Sequence, residues 1–148
     1  MTRARWLAAA VCLTAPAPAQ LAPVAAFEAA RAVPVTPGGW TYAATPAASD
    51  STFADVLRIR CDRAARQVNI QRLGVAPTPG VAVPPIVIAT DSVARSLPGA
   101  AARLAPFDPL LDAIAFSRGR FVVTGGGGGM LVLPAWPEAA RSIEDCRN

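Results

Sequence analysis

The chain has 148 residues, 53% of them apolar and 16% charged, too apolar for a disordered segment and long enough for one domain with its own core. Its fourteen basic residues, all arginine, face ten carboxylates for a net charge of +4, and neither histidine nor lysine occurs. That composition excludes Ser-His-Asp and Cys-His catalysis, Ser-Lys pairs, Schiff bases and histidine-based zinc sites. The positive excess is also too mild for a dedicated nucleic-acid binder.

Residues 1–19 read as a signal peptide. Arg3 and Arg5 make a positive start, Trp6 to Leu13 form a short apolar run, and Ala15-Pro16-Ala17-Pro18-Ala19 offers an A-x-A site with cleavage after Ala19. The run falls well short of the ~20 residues that span a bilayer, so no transmembrane anchor is expected after cleavage. Cys12 leaves with the signal, and Val11 before it is too large for a lipoprotein site. The expected location is the periplasm or the medium. The two cysteines that remain, Cys61 and Cys146, allow one connectivity, and in an oxidising compartment they are expected to form a disulfide; two separate thiols are the alternative.

Residues 20–38 are rich in alanine and proline and are expected to be a leader of low order, followed by one domain over 39–148. Trp40 to Ala43 read as a first strand, and Ser51 to Ala54 as a second with Phe53 facing inward. Leu57, Ile59 and Cys61 alternate with Arg58, Arg60 and Asp62; after a polar turn, Val68 and Ile70 alternate with Gln67, Asn69 and Gln71. Period-two alternation in adjacent runs predicts an antiparallel hairpin with one wet face and Cys61 on the inner one.

Pro77, Pro79, Pro84 and Pro85 mark a loop, and Ile86 to Thr90 a buried strand; Ser92 to Leu97 could be strand or turn. Asp108 and Pro109 are a favoured N-cap and first helical position, Leu110, Leu111 and Ile114 share a face, and Gly119 is expected as a left-handed C-cap. Arg120 to Thr124 and Met130 to Leu133 predict a second hairpin across Gly125 to Gly129. Trp136-Pro137-Glu138 then starts a last helix, on which Trp136, Ala139 or Ala140, Ile143 and Cys146 recur at spacings of three and four. Cys146 thus faces inward as Cys61 does, and by chain-entropy arithmetic a bridge between them contributes about 4–5 kcal/mol. The fold class is α+β: an antiparallel sheet or open barrel of five or six strands with two short helices against it.

Few residues suggest chemistry. Asp108 and Asp112 stand four apart on one helix, a spacing that could serve a carboxylate-dependent hydrolase, but both positions are where helices recruit acids. The glycine run lacks the Lys-Ser/Thr of a phosphate loop and opens no helix, so a flexible hairpin loop is expected. Arg118 and Arg120 could clamp an anion in bidentate fashion. Arg58, Arg60, Arg63 and Arg66 read as a solvated basic face tempered by Asp55 and Asp62. Trp40 and Trp136 read as core or rim anchors. Neither a metal site nor a cofactor site is expected.

Three stretches resemble a family of small exported bacterial proteins without assigned function: Leu57 to Asp62 with Arg66 to Ile70, Phe107 to Phe121 (with Ser117-Arg118-Gly119-Arg120-Phe121), and Leu133 to Glu138 with Glu144-Asp145-Cys146-Arg147. The resemblance implies export and a Cys61–Cys146 bridge and carries no catalytic residue. The expected function is a non-enzymatic binding or structural protein of the envelope with an unknown envelope partner, a protein being one candidate; a small inhibitor of a cell-wall-degrading enzyme and the hydrolase using Asp108 or Asp112 are the alternatives.

Overall fold

Two apolar patterns divide the strands. Alternation, as in Leu57 to Asp62, buries one face; continuous runs, as in Phe121 to Val123, bury both. The computed structural model describes residues 23–76 and 78–148, and in it the patterns sort into two open antiparallel sheets. The five-stranded sheet runs β1 (Trp40–Ala44), β2 (Ala48–Phe53), β3 (Leu57–Asp62), β4 (Gln67–Arg72), β7 (Ala101–Leu104). The four-stranded sheet runs β6 (Ala94–Leu97), β5 (Ile86–Ala89), β8 (Arg120–Gly125), β9 (Gly128–Pro134). Helices α1 (Pro23–Ala30), α2 (Pro109–Ala115) and α3 (Pro137–Asp145) complete the fold. The α+β class is as expected, but the described residues hold nine strands and three helices, and neither sheet closes into a barrel. The short strand β7, Ala-Ala-Arg-Leu, alternates over too few residues to be read in advance.

One core takes the inward side chains of both sheets: Phe53, Ile59, Val68 and Ile70 from the larger, Ile86, Ile88, Phe121 and Leu133 from the smaller. Trp40 joins them, its ring 5.3 Å from Phe53 and 6.3 Å from Phe121 and its Nε1–H donating to the Pro134 carbonyl at 2.8 Å. Helix α2 starts as its sequence dictates, with the Asp108 carboxylate accepting from the Leu110 N–H at 2.9 Å. It ends at Phe116, however, and Gly119 takes its left-handed conformation three residues later, at the entry to β8.

Helix α3 lies on the inner face over β1, β2 and β3, burying Ala139, Ser142 and Ile143. Ser51 of β2 donates to the Glu138 carbonyl and shares a hydrogen bond with Ser142 at 2.8 Å. The Cys61–Cys146 disulfide is present, with Cα atoms 5.4 Å apart and 85 residues of separation, and it staples the end of α3 to β3. Trp136 departs from the helical face expected of it: it is the N-cap of α3 and 49% exposed, because the N-cap residue still has extended backbone and points off the helical stripe.

The signal peptide expected at 1–19 and the start of the leader, through 22, lie outside the described residues. The rest of the leader differs from expectation. From Pro23 it is helical, and Phe27 and Ala30, one turn apart, are buried on the outer face of the four-stranded sheet against Ala89, Val122 and Val132. Farther along, the Thr36 N–H donates to the Val132 carbonyl at 2.8 Å. Burial of a phenyl ring of this kind contributes about 1.5–3 kcal/mol, enough to order a short alanine-rich helix that has little stability alone.

The glycine run is likewise an ordered turn rather than a flexible loop. Gly125 pairs with Gly128, and Gly126 and Gly127 take φ values of 62° and 85°, the left-handed pair that a two-residue hairpin requires. A Cβ on Gly126 would stand 2.4 Å from the Ile86 side chain. The buried Arg72 guanidinium at the end of β4 donates to the carbonyls of Gly125 and Gly129 and so latches one sheet to the other. No helix among the described residues is long and apolar enough to cross a membrane.

Candidate functional site

The outward side chains of the five-stranded sheet form rows set by register. One row runs Asp50, Arg60, Asn69, Arg103 across β2, β3, β4 and β7; the next runs Thr52, Arg58, Gln71, Ala101. Arg58, Arg60, Asn69, Gln71, Ala101 and Arg103 line a shallow depression of about 420 Å³. Its side chains reach outward because strand alternation sends Ile59, Ile70 and Ala102 the other way, into the core. Placing an amide between Arg60 and Arg103 also avoids setting two guanidiniums directly opposite each other, which would be destabilising.

Charge is unevenly matched there. Asp50 sits 2.7 Å from Arg60 Nη1 and 3.9 Å from Arg58 Nε, so one carboxylate serves two arginines. Arg58 also donates to Gln71 Oε1. Asp50, on the neighbouring strand, takes the tempering role that the sequence suggests for Asp55 and Asp62; Asp62 instead accepts from the Ala65 N–H in the β3–β4 turn at 3.0 Å. Among the described residues Arg103 has no ion pair and Asn69 no side-chain hydrogen bond. Arg103 is the site residue that sequence reasoning misses, because it joins the patch only through the β4–β7 pairing. Alternation of Ala102 and Leu104 with Ala101 and Arg103 is the one signal that could have found it.

The residues singled out in the sequence lie elsewhere and do not converge. Arg118, with a side chain 90% exposed, has its Nε 3.4 Å from Asp91. Arg120 turns to the segment that follows α1 and donates to the carbonyls of Arg31 and Val33 at 3.4 and 3.2 Å. The structure thus sends these two arginines to different partners rather than to one anion clamp. Asp108 caps α2 and pairs with Arg95 at 2.9 Å, and Asp112 pairs with Arg147 at 2.7 Å, so each carboxylate is held in a fold contact of its own.

A second polar cluster joins α3 to β1. The Tyr42 hydroxyl donates to Asp145 at 2.6 Å, Arg63 stands 3.4 Å from the same carboxylate, and Arg141 lies over the Tyr42 ring at 4.9 Å. Burial disfavours the charged Asp145, but the Tyr42 hydrogen bond and the Arg63 charge outweigh it and hold the carboxyl below its ordinary range. The same hydrogen bond pushes the Tyr42 phenol up, so this tyrosine is a donor rather than a nucleophile at neutral pH. Burial lowers the Arg72 guanidinium from its ordinary value. Among the described residues no three cysteines or carboxylates gather into a metal-binding group. Comparison of the chain with protein-family models, curated proteins and solved structures finds no match.

Proposed function

We propose that this chain is an exported, non-enzymatic binding protein of the cell envelope, held together by its disulfide and using the outer face of the five-stranded sheet to hold an acidic envelope partner. The observation that carries this reading is the unequal covering of the two sheets: α1 shields one outer face, while the other presents Arg58, Arg60 and Arg103, of which Asp50 pairs with the first two. Export rests on the expected signal at residues 1–19, and the resemblance to small exported bacterial proteins points the same way. In an oxidising compartment the Cys61–Cys146 bridge forms readily and persists.

The test is made with the chain expressed through its own signal in a Gram-negative host. Mass spectrometry of the periplasmic fraction is expected to find Gln20, or its cyclised form, at the N-terminus. The purified protein is then expected to co-sediment with washed envelope fragments, and the double variant Arg58→Ala, Arg103→Ala to stay in the supernatant. Retention of Met1, or equal sedimentation of the variant, would overturn the reading.

A further inference from the structure

We propose that the depression over β3, β4 and β7 takes a carboxylate-bearing glycan, with Arg60 and Arg103 receiving acid groups and Asn69 and Gln71 hydrogen-bonding the neighbouring hydroxyls. This rests on the reading of the open sheet face as the binding surface and names its ligand. Of the three arginines there, Arg58 and Arg60 share the Asp50 carboxylate and Arg103 has no ion pair among the described residues, so the complementary occupant is anionic. Arg103 keeps its full set of donors for a ligand, and a planar guanidinium matches a carboxylate in bidentate fashion.

The amides narrow the class. Asn69 stands in register between Arg60 and Arg103, and Gln71 beside Arg58, so each cation has a neutral group next to it that both donates and accepts. A sugar acid presents that same pairing, hydroxyls beside a carboxylate. Arg60 and Arg103 sit two strand spacings apart, roughly 10 Å, so two acid groups along one polymer can be met at once.

Other anionic occupants fit less well. No aromatic residue stands among the outward register positions of this face, so unpaired nucleobases find nothing to stack on. Strands β3 and β4 are paired on both sides, so an acidic peptide lying across them finds no backbone partner there, and the free edge beside the depression is only the four residues of β7.

Calorimetric titration of the exported chain with tetragalacturonate, galacturonate, methyl-esterified tetragalacturonate and an oligothymidylate of equal charge tests the assignment. Tetragalacturonate is expected to bind and its methyl ester not to. Arg103→Ala is expected to weaken the acid by about tenfold or more, the loss of one charge-assisted contact, with an unchanged thermal midpoint. Arg118→Ala, on the other sheet, is expected to bind as the parent does. Monomer binding as tight as the tetramer's would support a free sugar acid as the source, and tighter tetramer binding a polymer. Oligothymidylate binding as tightly as tetragalacturonate, or no effect of Arg103→Ala, would overturn the ligand class. If Arg103-dependent envelope binding persists while tetragalacturonate fails to compete for it, the glycan assignment alone falls; if envelope binding ignores Arg103, the underlying reading falls with it.

Discussion

On the four-stranded sheet the outward row Ala94, Ala89, Val122, Val132 lies beneath Phe27 and Ala30 of α1, whereas on the five-stranded sheet the outward row Asp50, Arg60, Asn69, Arg103 meets solvent. The inner faces are alike, since both feed one core. The outer faces therefore distinguish the part of the molecule built for stability from the part left available. An apolar row of that length would be an exposed patch without its cover, while a row of arginine and amide needs none. The chain invests its N-terminal helix in the sheet that cannot stand bare.

Removing the cover is the largest way to break this comparison. Phe27→Ala leaves a void over Val122 and Val132 and is expected to cost about 3–5 kcal/mol in chemical denaturation, with increased binding of a hydrophobic dye. A Phe27→Ala protein as stable as the parent would mean that α1 is an ornament of the sheet rather than its cover. The next effect comes from the inner side of the open sheet. Cys146→Ser releases the end of α3 from β3 and is expected to cost about 2–5 kcal/mol, read as a large fall in thermal midpoint. Labelling of the native protein is expected to find no reactive thiol at Cys61 or Cys146.

A smaller effect separates the docking of α3 from the disulfide that staples it. Asp145 titrates below the ordinary carboxylate range in the folded chain, so its contribution is present above the unfolded value and is lost as pH falls through the folded one. Asp145→Asn is expected to cost about 1 kcal/mol at pH 7, reduced from a buried charged hydrogen bond by partial exposure, and less at pH 2. Equal losses at the two pH values would show that the Tyr42–Asp145–Arg63 cluster contributes shape rather than charge.

Much of this contrast is written in the sequence, though unevenly. The alternation of Leu57 to Asp62 and of Gln67 to Gln71 states plainly that one face of that hairpin is wet, and Arg58 and Arg60 are legible on it. The continuous runs Ile86 to Ala89, Phe121 to Val123 and Leu131 to Leu133 state equally that both faces of the other sheet are buried. What covers the second face was harder to see, because half of α1 is alanine and its one polar side chain, Glu28, makes no polar stripe; its aromatic anchor is Phe27. The division into two sheets was not local information at all. The chain leaves the larger sheet after β4, makes β5 and β6 in the smaller one, and returns for β7, and no periodicity within a strand records that crossing. Arg103 can be read as outward from its own short alternation, but its place beside Asn69 cannot, for this reason. Arg118 and Arg120 drew attention by closeness in sequence, yet the backbone around Gly119 directs them to Asp91 and to the segment after α1.

The smallest expected effect on stability belongs to the residue on which function turns. Arg103 projects from an edge strand, is exposed, and has no carboxylate partner among the described residues, while Ala101 shows that alanine is tolerated two positions earlier on the same face. Arg103→Ala is therefore expected to change unfolding free energy by no more than about 0.5 kcal/mol, the range of ordinary surface substitutions. Relief of repulsion from Arg60 and Arg58 could even make the change slightly favourable at low salt, and added salt should erase that gain. A residue whose removal costs the fold nothing but weakens retention on envelope fragments is held there for binding. A loss of 2 kcal/mol or more would instead assign Arg103 to the fold and take from the open face the cation that has no ion pair among the described residues.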